Sequence, residues 1–203
     1  MASEIEIKLT MKDEDVLGDI LDDERLKKDF GTFSIISMNA DYYDTVDLDL
    51  LAHNYVVRIR KENGDWVATL KRRTKELDSG VLVREEWNKP IPAKKLKLDY
   101  FPEVKEELLA IIGDKPLVEI VETDFIRRKL DARYKDSLLE VAVDYGKIIS
   151  SGREVPILEV EIELKEGKEA DIVPFIEDYL KPYHLLVETE SKFSRGVTLF
   201  MKR

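Results

Sequence analysis

Glu4-Ile5-Glu6-Ile7-Lys8-Leu9 alternates charged and apolar side chains without exception. That period of two belongs to a strand with one dry face and one charged face. Working outward, the pattern returns at Tyr55 to Arg60, Trp66 to Arg73, Val81 to Trp87, Val118 to Lys129, Ser137 to Tyr145 and Ile157 to Lys165. Asn63-Gly64-Asp65 joins the Tyr55 and Trp66 segments as a hairpin turn, and Asp78-Ser79-Gly80 and Ser151-Gly152 read as further turns. Helical spacing is confined to residues 13 to 29, 102 to 112 and 170 to 179. About eight strands with a few helices predict an antiparallel α+β fold with one dominant sheet. With no linker in view, residues 1–203 are expected to form a single domain.

The charged strand faces are sorted by sign. Glu4 with Glu6, and Glu159 with Glu161 and Glu163, are acidic, whereas Arg58 with Arg60 and Lys71 with Arg73 are basic. A face that points to water usually mixes its signs. Same-face neighbours lie roughly 7 Å apart, so like charges repel by about 0.6 kcal/mol in water and by about four times that where partly buried. A polyvalent counterion reverses that cost. If the sheet curls until these faces meet, the carboxylates make an all-oxygen site of the kind Mg²⁺ or Mn²⁺ prefers, and the basic residues make a cradle for a polyphosphate. The apolar outer faces then need helices to cover them.

The 203 residues carry 43 Asp and Glu against 33 Lys and Arg, a net charge of −10, which argues against a general nucleic-acid binder. Without Cys there is no disulfide, thiolate metal site or thiol nucleophile. No stretch of about 20 apolar residues offers a membrane span, and the opening MASEIEIKLT lacks a basic region followed by an apolar run, so a cytoplasmic location is expected. His53 and His184 stand alone, Lys94, Lys95 and Lys97 read as a solvated run, and no phosphate loop or nucleophile elbow is present.

An ordered series of motifs resembles the CYTH superfamily, the triphosphate tunnel metalloenzymes. It runs from Glu4-x-Glu6-x-Lys8 through Tyr42-Tyr43-Asp44-Thr45, Val57-Arg58-Ile59-Arg60, Thr69-Leu70-Lys71, Arg84-Glu85-Glu86, Thr123-Asp124-Phe125-Ile126-Arg127 and Val143-Asp144-x-Gly146. It ends with Glu159-Val160-Glu161-Ile162-Glu163 and Ser191-Lys192-Phe193-x-Arg195-Gly196. The resemblance implies an eight-stranded antiparallel β-barrel tunnel with flanking helices, hydrolysing a small-molecule triphosphate with Mg²⁺ or Mn²⁺. It implies metal binding by Glu4, Glu6, Glu159, Glu161 and Glu163, and phosphate binding by Lys8, Arg58, Arg60, Lys71, Arg84, Arg127 and Lys192. Glu86 and Asp144, with Lys8, match positions that orient water or the metal shell.

Strand parity turns Trp66 and Trp87 away from such a tunnel, leaving no tryptophan to stack an organic group. Inorganic triphosphate is therefore the expected substrate, although Tyr179 or Tyr183 would supply an aromatic surface by closing a mouth. The alternatives are a thiamine or nucleoside triphosphatase, a class IV adenylate cyclase and a non-enzymatic polyphosphate sensor.

Overall fold

A computed structural model describes residues 2–76 and 82–202, with side chains for residues 5–72 and 85–202. The expected turn at Asp78-Ser79-Gly80 lies outside the described residues. Nine strands form one antiparallel sheet: β1 Ala2–Thr10, β2 Ser34–Asp44, β3 Tyr55–Glu62, β4 Asp65–Glu76, β5 Leu82–Ile91, β6 Val118–Tyr134, β7 Ser137–Ser150, β8 Arg153–Glu166 and β9 Leu186–Val187. Their order is β5-β4-β3-β2-β6-β7-β8-β1-β9. β1 also closes the ring in part: Ala2–Glu6 pair with Leu82–Glu86 of β5, while Glu6–Thr10 pair with Glu159–Glu163 of β8. The eight long strands thus make a strongly curled sheet whose seam is joined over the first half of β1. The hairpin loops Asn63-Gly64 and Ser151-Gly152 have positive φ at both residues, the geometry that matches strand twist in a two-residue hairpin.

The helices are α1 Glu14–Leu21, α2 Glu24–Phe30, α3 Asp49–Ala52, α4 Lys105–Ile112, α5 Ile172–Phe175 and α6 Lys192–Met201. The single helix expected over 13–29 is split in two. Asp23 accepts hydrogen bonds from the N–H groups of Arg25 and Leu26 and so starts a second helix at Glu24. After α5 the expected helix continues as a π-turn and a 3₁₀ turn through Tyr183.

Helices cover the outer apolar faces, as the alternation demands. Ile7 and Leu9 pack with Ile20 of α1, Leu26 of α2 and Phe175 of α5. Val57, Ile59 and Leu70 pack with Phe101 and with Leu108 and Ile112 of α4. Trp66 and Trp87 join that second outer cluster, on the side their parity requires.

The inside of the sheet departs from expectation. The inward-facing charges imply a hydrophilic interior, yet Met38, Tyr42, Phe125, Ile148 and Ile157 also face inward and bury Phe193, Val197 and Phe200 of α6. One end of the interior is therefore filled by an apolar helix, and charge is confined to the rest. Two glycines permit this packing. A Cβ on Gly196 would fall within 3.0 Å of the Cβ of Val121 and closer to its methyls, and one on Gly146 would run into the Asp124 carbonyl and Phe125.

Candidate active site

A cavity of about 650 Å³ occupies the charged part of the interior, within the range of small-molecule sites. Its basic wall comes from β3 and β4, where Arg58, Arg60 and Lys71 alternate with the apolar residues that face α4. Its acidic wall comes from β1, β7 and β8, with Glu6, Glu140, Glu161 and Glu163. The pairing sets the acidic register: Glu6 lies opposite Glu163, and Lys8 opposite Glu161. Arg127 and Lys192 stand between the two walls.

Burial and charge oppose each other on the basic wall. Burial, then the neighbouring Arg58, lowers the Arg60 guanidinium to about 10, although Glu62 lies 2.8 Å from its Nε. Two crowded guanidiniums in a cavity are the reverse of what a stable empty interior needs, and a polyanion between them relieves the cost. Glu86, opposite Lys71 in register and 3.6 Å from it, is raised by burial but lowered more by Lys71 and Arg58, to about 2.

The acidic side is knitted to cations of the chain itself. Lys192, at the N-terminus of α6, places Nζ 2.8 Å from Asp144 Oδ2, 2.6 Å from Glu159 Oε2 and 2.9 Å from Glu161 Oε1. Arg127 donates to both oxygens of Asp144 at 2.8 and 2.7 Å and also to Glu161. Arg195 donates to the other oxygen of Glu159. Burial works against charge on Lys192 and Arg127, but the carboxylates hold both pKa values well above the ordinary range. Burial likewise opposes charge on Glu161, and Lys192, Arg127 and Lys8 draw its pKa well below the usual carboxylate range.

Most residues named from sequence therefore meet in one place. Lys8, Arg58, Arg60, Lys71, Glu86, Arg127, Lys192, Glu6, Glu161 and Glu163 all line the cavity. Asp144 and Glu159 have no exposed surface and lie behind Lys192 rather than on the wall. The side chains of Glu4 and Arg84 are outside the described residues.

Sequence reasoning assigned no role to Glu140, Lys129, Lys165 and Glu62, which also line the cavity. Lys129 and Lys165 pair with Glu140, whose pKa burial raises but these neighbours pull down on balance. Lys129 shares a strand face with Arg127, and Glu140 with Asp144, so both were within reach of a parity argument. Aromatic lining was missed altogether. Tyr42, Phe125 and Phe193 reach the cavity, with Tyr42 and Phe193 stacked at 5.3 Å and the Lys192 ammonium 5.2 Å above the Phe125 ring. The absence of a stacking surface, inferred from the tryptophans, is thus overturned. Tyr179 and Tyr183 close no mouth, since both pack in the outer cluster under α1 and α5. Lys94, expected in a solvated run, pairs with buried Asp41 on the outer face.

A hard divalent cation fits the donor set, which is entirely carboxylate oxygen. Glu6, Glu161 and Glu163 share one wall, and oxygens of Asp144, Glu159 and Glu161 lie within 4.8 Å of one another, although the Lys192 ammonium already stands among those three.

The structure is thus a strongly curled antiparallel sheet around a cavity whose lining sorts carboxylates and cations to different walls. Residues 2–197 match the CYTH domain family, and the chain belongs to that family. The chain is 30% identical over its whole length to an inorganic triphosphatase of Haemophilus influenzae, spanning 56% of that relative, about half its length. Among solved structures, a Hippeastrum protein described as a candidate adenylyl cyclase with dominant triphosphatase activity aligns with a TM-score of 0.65 and 19% identity, over 96% of this chain and 95% of the other. A Pyrococcus horikoshii protein aligns with a TM-score of 0.58 and 20% identity, over 98% and 99% of the two chains. These structural likenesses establish the fold.

Proposed function

We propose that residues 1–203 form one CYTH unit that hydrolyses inorganic triphosphate to pyrophosphate and orthophosphate with Mg²⁺ or Mn²⁺. The observation that carries this reading is the facing of Arg58, Arg60 and Lys71 against Glu6, Glu161 and Glu163 across one cavity. The inorganic triphosphatase among its relatives agrees with it. Among the described residues no helix is long and apolar enough to cross a membrane. We take the substrate to be a small molecule met in the cytoplasm, with no nucleic-acid or membrane partner.

Phosphoryl transfer asks the protein mainly for positioning and for neutralisation of charge on the phosphoryl oxygens. Arg58 and Arg60 grip the chain with guanidinium forks, and Lys8, Lys71, Arg127 and Lys192 add charge along it, with Arg84 assigned there from sequence. Lys192 and Arg127 keep their protons, so neither serves as a base; they act as fixed positive charges. Glu86 stays ionised and is suited to orient the attacking water. Glu6, Glu161 and Glu163 would hold the metal ion, with Glu4 assigned from sequence, and a bound ion would neutralise charge on the phosphoryl oxygens.

The rings of Tyr42, Phe125 and Phe193 favour a second reading, an organic triphosphate whose base or ring packs on that apolar stretch. A phosphate-release panel over triphosphate, thiamine triphosphate, ATP and pyrophosphate separates the two, with cyclic AMP measured in the ATP arm. Highest kcat/KM for inorganic triphosphate is the expected result. A higher value for an organic triphosphate reassigns the substrate, cyclic AMP formation makes the protein a cyclase, and tight binding without cleavage makes it a sensor.

A further inference from the structure

Glu159 was grouped from sequence with the metal-binding carboxylates, but its surroundings give it different work. Its side chain has no exposed surface, and each of its oxygens is already held by a cation of the chain: Oε2 by Lys192 at 2.6 Å and Oε1 by Arg195. Asp144 is equally buried and bound by Lys192 and Arg127. Around this point three carboxylates, Asp144, Glu159 and Glu161, face three cations, Arg127, Lys192 and Arg195. The cluster is electrically balanced as it stands. A divalent ion entering behind Lys192 would meet like charge at close range, where repulsion is poorly screened.

We propose that Glu159 and Arg195 are positioning residues: Arg195 fixes Glu159, Glu159 fixes the Lys192 ammonium for the phosphate chain, and the metal is left to the cavity-facing carboxylates. Arg195 has a second anchor that suits this part, since its Nη1 donates to the carbonyl of Pro156 at 3.4 Å on the same strand as Glu159. It therefore ties the first turn of α6 to β8, setting where Lys192 enters the cavity. The sequence motif contained Arg195, but nothing in the pattern distinguished a residue that touches substrate from one that holds another residue in place.

The inference rests on the triphosphate-binding reading, and the test keeps the two apart by measuring Mn²⁺ and triphosphate binding separately, without turnover. Calorimetry with inorganic triphosphate in chelator, and paramagnetic titration with Mn²⁺ alone, are run on the wild type and on Glu159→Gln, Arg195→Gln, Arg195→Lys and Glu163→Gln. Loss of one charge-assisted contact behind Lys192 is expected to weaken triphosphate binding about tenfold in Glu159→Gln and Arg195→Gln, with Mn²⁺ affinity held within about twofold. Arg195→Lys, which keeps a donor for Glu159, is expected to recover most of the loss. Glu163→Gln is expected to show the opposite pattern, with Mn²⁺ binding weakened. Arg195 lies at the edge of the cluster, so its variants carry the test if Glu159→Gln fails to fold. A loss of Mn²⁺ affinity in Glu159→Gln or Arg195→Gln, or unchanged triphosphate affinity in Arg195→Gln, overturns the positioning role alone. A wild type that binds no triphosphate overturns the function on which it rests.

Discussion

At the scale of single residues, the site is a set of charges that the fold holds against their own preference. Arg60 shows this most clearly, because burial and Arg58 lower its pKa to about 10. The sign is that of a base whose charged form the empty protein disfavours. We expect Arg60→Leu to raise the melting temperature of the ligand-free protein while weakening triphosphate binding about tenfold, a trade of stability for function. Calorimetric melting beside a binding titration checks it, and a lowered melting temperature with unchanged affinity contradicts it. Glu161 touches Lys192 and Arg127 and faces the cavity, so in the proposed site it lies between the metal and the phosphate chain. Glu161→Gln is expected to lower kcat by about 10²-fold or more, the usual cost of losing one preorganised charge. Triphosphate binding is expected to weaken by no more than about tenfold, since the basic wall is intact and Lys192 keeps its contacts to Asp144 and Glu159.

At the scale of elements, α6 joins stability to function. Its apolar side fills one end of the interior, and Ser191, which accepts a hydrogen bond from the Ser194 N–H at 3.0 Å, starts the helix one residue before Lys192. Gly196→Ala forces a methyl into Val121 and is expected to cost about 1–3 kcal/mol by overpacking, with activity falling as Lys192 is displaced. Adding Val121→Ala should restore both, which a double-mutant cycle of denaturation and turnover measures. This helix was also the hardest element to read. Lys192 to Met201 carries a mid-helix glycine and hydroxyl residues, and its apolar stripe packs inside a sheet where only charge was expected. β2 was hidden for the related reason that its inward residues, Met38, Ala40 and Tyr42, are apolar, so Ser34–Asp44 lacks the charged alternation that exposed the other strands. Strands with a charged inner face and an apolar outer face, such as β1, β3 and β8, were legible because both faces carried a signal. The same parity rule gave Arg58 and Arg60 their common face, and both line the cavity. Glu159 takes the inner face that parity gives it but lies behind Lys192 rather than on the cavity wall, because parity says which face a residue takes and not how deep along that face the cavity reaches.

At the scale of the whole molecule, the net charge of −10 conceals an interior in which cations and carboxylates face each other. That arrangement fixes the response to acid. Burial raises the pKa of Glu86, but Lys71 and Arg58 lower it further, to about 2 against an ordinary 4.5, and Glu140 and Glu161 shift the same way. A carboxylate depressed in the folded state adds stability above its unfolded pKa and loses it as pH falls toward the folded value. Denaturant midpoints are therefore expected to hold above pH 4.5 and to fall steadily from there toward pH 2. A midpoint unchanged across that interval would mean that these ion pairs contribute nothing to folding. For function, the decisive quantity is phosphate released from inorganic triphosphate by the purified wild-type chain in Mg²⁺ or Mn²⁺, followed through addition of excess chelator. A metal-dependent triphosphatase releases one orthophosphate per triphosphate and stops when the metal is removed. Release that continues in chelator, or none with either ion, would contradict it.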